Sequence, residues 1–333
     1  MGRVVVHLLA PLAAMLVTAG GAFAQSAPAL APEPVEPPPH SAPWPDLRTG
    51  QTEGIRDASY VLGPELVRGQ SARAMLVERR RLDAALGALQ PQRPGTVDAY
   101  VIAVALDSDP VFAREAREAG RVLARRFDAE GRAVTLAGPD GRGGGLPKGS
   151  LSALTLALAR VAEVMDPAED VLVLYSTSHG APQGLAYHDG DTGYGMLSPG
   201  RLAMVLGELG IRRRVLLLSA CYSGVFVAPL ASADSVIVTA AARDRTSFGC
   251  QADNDWTYFG DALVNHALRQ PQPLGEAARD AQVAIAGWER ARGLEPSLPQ
   301  VSIGTGVGLW LGALEARMPR DATTPVGRPA AGD

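Results

Sequence analysis

Cysteine is close to absent from this chain. Two residues, Cys221 and Cys250, occur among 333, so thiol chemistry falls to this pair and at most one disulfide can form. Histidine is scarce too, with five residues. His7 lies in an N-terminal leader and His40 in a proline-rich stretch, which leaves His179, His188 and His266 as candidates for chemistry. Lysine is reduced to Lys148, and no mechanism follows from that. The formal net charge of −4 lacks the basic excess that would speak for nucleic acid. Beyond the first 24 residues no apolar run approaches the roughly 20 residues of a membrane span. What remains is an ordinary globular composition, 47% hydrophobic and 20% charged, long enough for one large domain or two small ones.

Residues 1–24 have the layout of a cleavable secretory signal. Arg3 supplies a minimal positive start, Val4 to Val17 an apolar core, and Ala22-Phe23-Ala24 a small-x-small cleavage site before Gln25. The same run is nearly long enough for an uncleaved anchor, and the helix-breaking Gly20-Gly21 pair favours cleavage. No cysteine stands near the site, which argues against a lipoprotein. Residues 25–46, dominated by Pro and Ala, read as an extended linker that builds no core. Residues 47–318 form the expected domain, with its core at about 98–304. Residues 319–333 read as a disordered tail.

Within the domain, strands and helices alternate. Tyr100 to Leu106 is a strand that opens into Asp107-Ser108-Asp109-Pro110, where Asp109 suits an N-cap and Pro110 the first helical turn. A strand at 133–137 follows, then a glycine-rich loop, 138–149. That loop contains Lys148 but preceded by Pro147, which fails the spacing of a phosphate cradle. A helix capped by Ser150 leads to the apolar run Val171 to Tyr175. After it come a hairpin around Asp189-Gly-Asp-Thr-Gly193, too poor in oxygen ligands for a calcium loop, and a helix capped by Ser198. The strand Val215 to Leu218, a strand at Ser235 to Ala240, helices at about 256–268 and 274–292, and a last strand at 300–303 complete the set. Apolar runs without helical period, bounded by small residues, suit strands buried on both faces of a mostly parallel α/β sheet.

Two of those runs end alike. Val171-Leu-Val-Leu-Tyr-Ser-Thr-Ser-His179-Gly180 presents an imidazole, and Val215-Leu-Leu-Leu-Ser-Ala-Cys221-Tyr222-Ser223-Gly224 presents a thiol. If the two strands are parallel neighbours, His179 and Cys221 meet at the carboxyl edge of the sheet, where open α/β folds bind ligands. His266 falls inside an expected helix and reads as structural; His188 falls in the hairpin and reads as solvent-facing. Ser223 lacks the Gly-x-Ser-x-Gly elbow of a nucleophilic serine and reads as a turn residue.

Ser178-His179-Gly180-Ala181-Pro182, Ser219 to Gly224, Thr239 to Cys250 and Thr257-Tyr258-Phe259-Gly260-Asp261 occur in the order in which similar blocks occur in legumain-type cysteine peptidases. Over residues 98 to 304 the chain resembles peptidase family C13, which shares its fold with caspases. The resemblance implies a caspase-like three-layer α/β/α fold around a mostly parallel sheet of about six strands. It implies a cysteine endopeptidase acting through an acyl-enzyme, with transpeptidation as a second outcome. Cys221 would be the nucleophile, His179 its partner, and the backbone N–H groups of Gly180 and Cys221 the oxyanion donors. Asp261 matches the family's acidic specificity residue, although its bland alternative is an N-cap or surface carboxylate.

The chain departs from the legumain pattern at two places. Ser219 stands where legumains carry Glu, and Asp107-Ser108-Asp109 where they carry Asn followed by Arg-His. Asp261, Ser219 and Asp107 are therefore the expected substrate-binding residues. The expected partner is a peptide or protein substrate, with no nucleic acid, cofactor or metal, and no membrane contact beyond the leader. Cys250 reads as a free, packed thiol without a chemical role; a Cys221–Cys250 disulfide, which would consume the nucleophile, is the rival. A non-catalytic binding module of the same fold is the alternative from another functional class. Only Val225 to Asp234 separates the cysteine strand from the next, so the domain is expected as a single chain.

Overall fold

The computed structural model describes residues 1–2, 38–138 and 145–331. The chain divides into compact units 1–32 and 33–333, and all that follows concerns the second. The signal sequence expected at 1–24, the linker's first part and residues 139–144 of the glycine-rich loop lie outside the described residues.

Among the described residues ten strands occur in chain order: β1 Glu65–Val67, β2 Ala99–Ala105, β3 Ala133–Leu136, β4 Val171–Thr177, β5 Gly180–Ala181, β6 Gly184–Asp189, β7 Gly193–Leu197, β8 Arg214–Ser219, β9 Ser235–Thr239 and β10 Gln300–Ile303. The α-helices are α1 Glu53–Ser59, α2 Ala72–Gly87, α3 Pro110–Arg126, α4 Leu151–Val164, α5 Pro199–Glu208, α6 Val227–Leu230, α7 Leu274–Ala291 and α8 Gly308–Ala316. The main sheet has six strands in the order β10-β9-β8-β4-β2-β3, all parallel except β10. A smaller antiparallel sheet, β1-β7-β6-β5, carries the hairpin.

The apolar runs form strands because both of their faces are covered. Val101, Val173, Val215, Leu217 and Val238 pack beneath α3, α7 and α8, while Ile102, Leu172, Leu174, Leu216 and Leu218 pack beneath α2, α4 and α5. Every residue of β2, β4 and β9 is buried. Burying one such Val, Leu or Ile side chain is worth about 1.5–3 kcal/mol, and two-sided burial makes a register slip costly. The architecture is the three-layer α/β/α arrangement expected from the sequence. Ser150 and Ser198 cap α4 and α5 as expected, accepting from Ala153 N and Arg201 N at 3.0 Å.

Three expectations need correction. The segment expected as a helix over 256–268 contains a π-helical stretch, Gly260–His266, and a short 3₁₀ turn, Ala267–Arg269. Residues 319–331, expected to be disordered, lie along the domain: Val326 N donates to Asn265 Oδ1 at 2.9 Å and Arg328 N to Asp255 Oδ2 at 2.8 Å. The linker's last part, 38–46, is likewise a docked strap. Ser41 N and Ala42 N donate to Asp191 Oδ1 at 2.8 and 2.7 Å, and Trp44 packs edge-on against Tyr194. Among the described residues no helix is long and apolar enough to cross a membrane.

Candidate active site

β4 and β8 are hydrogen-bonded parallel neighbours with Thr177 opposite Ser219. His179 and Cys221 each lie two residues past that pair, so parallel pairing brings both to one carboxyl edge. The edge is tight. Ser178 N donates to Ser219 O at 3.1 Å, and a Cβ placed on Gly180 would fall 2.1 Å from the Cys221 carbonyl oxygen. Only glycine leaves room for the two chains here.

After Cys221 the chain turns sharply. Tyr222 has φ 58°, a left-handed conformation that strains an aromatic residue, and its N–H donates to Arg245 O at 2.8 Å. Strain of this kind persists where the surroundings over-determine it. Ser223 is wholly buried and its hydroxyl accepts from Ala241 N at 3.3 Å, so it serves the turn. The Cys221 thiol itself meets the loop after β9. Its Sγ accepts from Ser247 N at 3.2 Å and lies 3.6 Å from the Ser247 hydroxyl.

Gly180 pairs with Leu185 across β5 and β6, and Ala186 N donates to His179 O at 3.0 Å. That bond makes Gly180–Leu185 a non-hydrogen-bonded pair, which turns the Gly180 N–H away from β6. The expected oxyanion donor is thus not consumed by the hairpin.

His179 is 43% exposed through its side chain, and its Nε2 lies 3.8 Å from Asp109 Oδ2. Phe112 meets the ring edge-on at 5.0 Å. The Asp109 carboxylate and, second, a hydrogen bond with Cys250 push the imidazole up to about 10, against a smaller opposing effect of burial. Asp109 itself is held below the usual carboxylate range, chiefly by His179. Two residues therefore do other work than the sequence implied. Asp109 stands at the N-cap position of α3, before Pro110, but its side chain makes no capping bond and turns to His179 instead. Cys250, expected to be chemically idle, packs beside Phe112 and bonds to the His179 imidazole. Both cysteines are free thiols.

The expected substrate-binding residues sit deeper than the family pattern implied. Ser219 is buried, and its hydroxyl lies 3.1 Å from Thr257 Oγ1. The wholly buried Glu115, which no motif singles out, accepts from Tyr175 Oη at 2.5 Å and Thr257 N at 2.8 Å. Desolvation, then the Glu115 charge, holds the Tyr175 phenol well above its ordinary range. This network anchors the end of β8, two residues before Cys221. Asp261 is fully buried in the π-helical stretch; it accepts from Asn265 Nδ2 and from Ala330 N of the tail, both at 2.8 Å. With the tail docked it is not the open floor of a pocket. His266 lies 3.4 Å from Asp261, in keeping with a structural role. Asp107 is buried at the end of β2, bridged to His188 of the hairpin. His188, expected to face solvent, has a side chain only 16% exposed, with Nδ1 3.6 Å from Asp107 Oδ2.

A groove of about 680 Å³ begins one residue past Ser247, lined by Phe248, Gly249, Tyr258, Arg292, Arg328 and Ala330. Its volume is large enough for a peptide side chain.

The sequence model of the peptidase C13 family matches residues 149–308. No curated protein matches the chain. The crystal structure of caspase-1 from Spodoptera frugiperda is similar over 65% of this chain and 88% of that one, with 14% identity and a TM-score of 0.43. Asp107 and Asp109 fall outside the matched stretch, whereas His179, Gly180, Cys221, Ser247, Cys250 and Asp261 fall inside it, so the similarity to the peptidase C13 family extends over both strand ends.

Proposed function

We propose that the protein is a cysteine endopeptidase whose nucleophile is Cys221 and whose acid–base group is His179. The observation that carries this reading is the β4–β8 register, which sets the two side chains at matching positions of one sheet edge. An imidazole raised to about 10 is protonated at neutral pH, so His179 enters as the acid, and the nucleophile is the thiolate form of Cys221, whose Sγ lies 3.2 Å from Ser247 N. The Cys221 sulfur attacks the scissile carbonyl and its electron pair moves to oxygen, near the Gly180 and Cys221 N–H groups. As the C–N bond breaks, His179 gives its proton to the leaving amine. The neutral imidazole then takes a proton from water, hydroxide opens the thioester, and the thiolate is restored. An amine in place of water gives transpeptidation.

The groove beside Phe248 and Tyr258 is the candidate path for the peptide substrate. With Asp261 tied to Ala330, selection of the residue before the scissile bond rests on this groove rather than on a free carboxylate. Residues 1–24 support secretion or periplasmic export; N-terminal sequencing of the exported protein should begin at Gln25. The direct test of the catalytic reading is labelling with a thiol-reactive peptide followed by mapping. The label is expected on Cys221, lost in Cys221→Ala and weakened in His179→Ala. A label confined to Cys250, with peptide cleavage surviving in Cys221→Ala, would overturn the assignment.

A further inference from the structure

Asp107, His188 and His40 come from three separate parts of the chain: the end of β2, the hairpin strand β6 and the N-terminal strap. One donor atom from each lies within 4.8 Å of the other two. His188 Nδ1 stands 3.6 Å from Asp107 Oδ2, and His40 Nε2 4.0 Å from Asp107 Oδ1. The two imidazole rings face each other at 4.0 Å with a tilt of 33°. Asp107 has a side chain only 1% exposed, yet its Oδ2 receives no hydrogen bond, and neither does the buried Nε2 of His188. A buried carboxylate oxygen without a donor is costly, so its retention beside two imidazoles points to a missing cation.

We propose that His40, Asp107 and His188 bind one divalent transition-metal ion, and that the ion clasps the strap 38–46 onto the carboxyl edge of the sheet. Two imidazoles and a carboxylate suit Zn²⁺, whereas Mg²⁺ and Ca²⁺ demand oxygen ligands throughout. Around a tetrahedral zinc with bonds near 2.1 Å, donors stand about 3.4 Å apart. The shortest separations here, 3.6 Å for His188 and 4.0 Å for His40 to Asp107, exceed that by about 0.2–0.6 Å. Ser108 Oγ, 2.9 Å from His40 Nε2, and water complete the coordination. Lys148, which lines the same cavity as Asp107 and His188, is held by Asp189 at 3.0 Å. The strap has its own anchor at Asp191, so the metal adds a second fixed point rather than forming the site from a free segment. The proposal does not depend on the catalytic reading, because none of the three ligands is His179 or Cys221.

The test uses the purified protein, stripped with chelator and titrated with Zn²⁺ by calorimetry and with Co²⁺ by visible absorption. One equivalent of Zn²⁺ should bind. Co²⁺ should give weak ligand-field bands without intense sulfur-to-metal charge transfer. His40→Ala should weaken binding by at least about tenfold while leaving the melting curve of the metal-free protein unchanged, since His40 lies outside the core. His188→Ala should do the same to affinity. Zn²⁺ should slow proteolysis within residues 38–46 of the wild type and not of His40→Ala. Absence of stoichiometric binding, wild-type affinity in His40→Ala, or intense thiolate charge transfer that assigns the metal to Cys221 or Cys250 would each overturn the proposal. Zn²⁺ binding without strap protection would overturn the clasp.

Discussion

Replacing Asp109 by Asn removes the charge that most raises His179 while keeping the size of the side chain. At a 3.8 Å separation the pair is an ion pair too long for a close hydrogen bond. Its Coulomb energy is about 1 kcal/mol in bulk water and about 4 kcal/mol at the effective dielectric of a protein surface. With 43% of the His179 side chain exposed, solvent screening favours the lower end, and about 1 kcal/mol corresponds to about 0.7 pKa unit. The imidazole should therefore titrate measurably below its wild-type value of about 10. The stability effect has a definite sign. A folded-state value above the unfolded one gives a contribution that is complete below about pH 6.5, is lost as pH rises towards 10, and is gone beyond it. Asp109→Asn should thus cost about 1 kcal/mol near pH 6 after screening, and nothing near pH 11. The assay is an NMR titration of the His179 Cε1–H in chelator-treated protein, assigned with His179→Gln, alongside urea melts at both pH values. The basic limb of kcat/KM should move down with the imidazole. An unchanged titration in Asp109→Asn would refute the ion pair, and a shift without any change in the activity profile would refute His179 as the acid.

Other perturbations separate chemistry from scaffold. Cys221→Ala and His179→Ala should each abolish peptide cleavage with melting curves close to wild type. Cys250→Ala should retain cleavage but lower the His179 titration, and a dead but folded Cys250→Ala would move the nucleophile to that residue. Ending the chain at Met318 strands a buried oxygen of Asp261, at about 1–3 kcal/mol, which urea melts should register. Gly180→Ala must displace the Cys221 carbonyl, and should reduce kcat/KM by about 100-fold or more through the oxyanion donors, measured at saturating expression of folded protein by circular dichroism.

The two strand ends were legible because burial on both faces writes itself as an uninterrupted apolar run, and a small-residue terminus marks where the run reaches water. β4 and β8 follow that rule, and their pairing fixes His179 and Cys221 without any knowledge of loops. Asp109 was not legible in the same way. Asp before Pro at a helix start has the form of an N-cap, and only the position of the neighbouring strand end shows its carboxylate turning to His179 instead. Cys250 is a similar case, because its loop has no periodicity and its approach to the imidazole depends on how the chain returns from β9. His188 obeyed hairpin alternation but met a third layer, the strap, that covers the face expected to be wet.

The straps themselves show why composition misled. A Pro- and Ala-rich segment cannot build a core, and neither 38–46 nor 319–331 does. Each is held by backbone N–H groups aimed at single carboxylates: Ser41 and Ala42 at Asp191, Arg328 at Asp255, and Ala330 at Asp261. Asp191 is accordingly held below the usual carboxylate range, first by the Ser41 hydroxyl and then by the Ala42 N–H. This mode of attachment requires one acidic residue on the domain and leaves no pattern in the strap, since every non-proline residue has an N–H to give. It also explains why Asp261 and Asp107, the carboxylates that the family pattern offered to a substrate, are covered here by the chain's own ends. Asp261 is capped by the tail and Asp107 is faced by His40 of the strap. With both straps seated, the groove beside Phe248 remains open, and Arg328 and Ala330 of the tail form part of its wall.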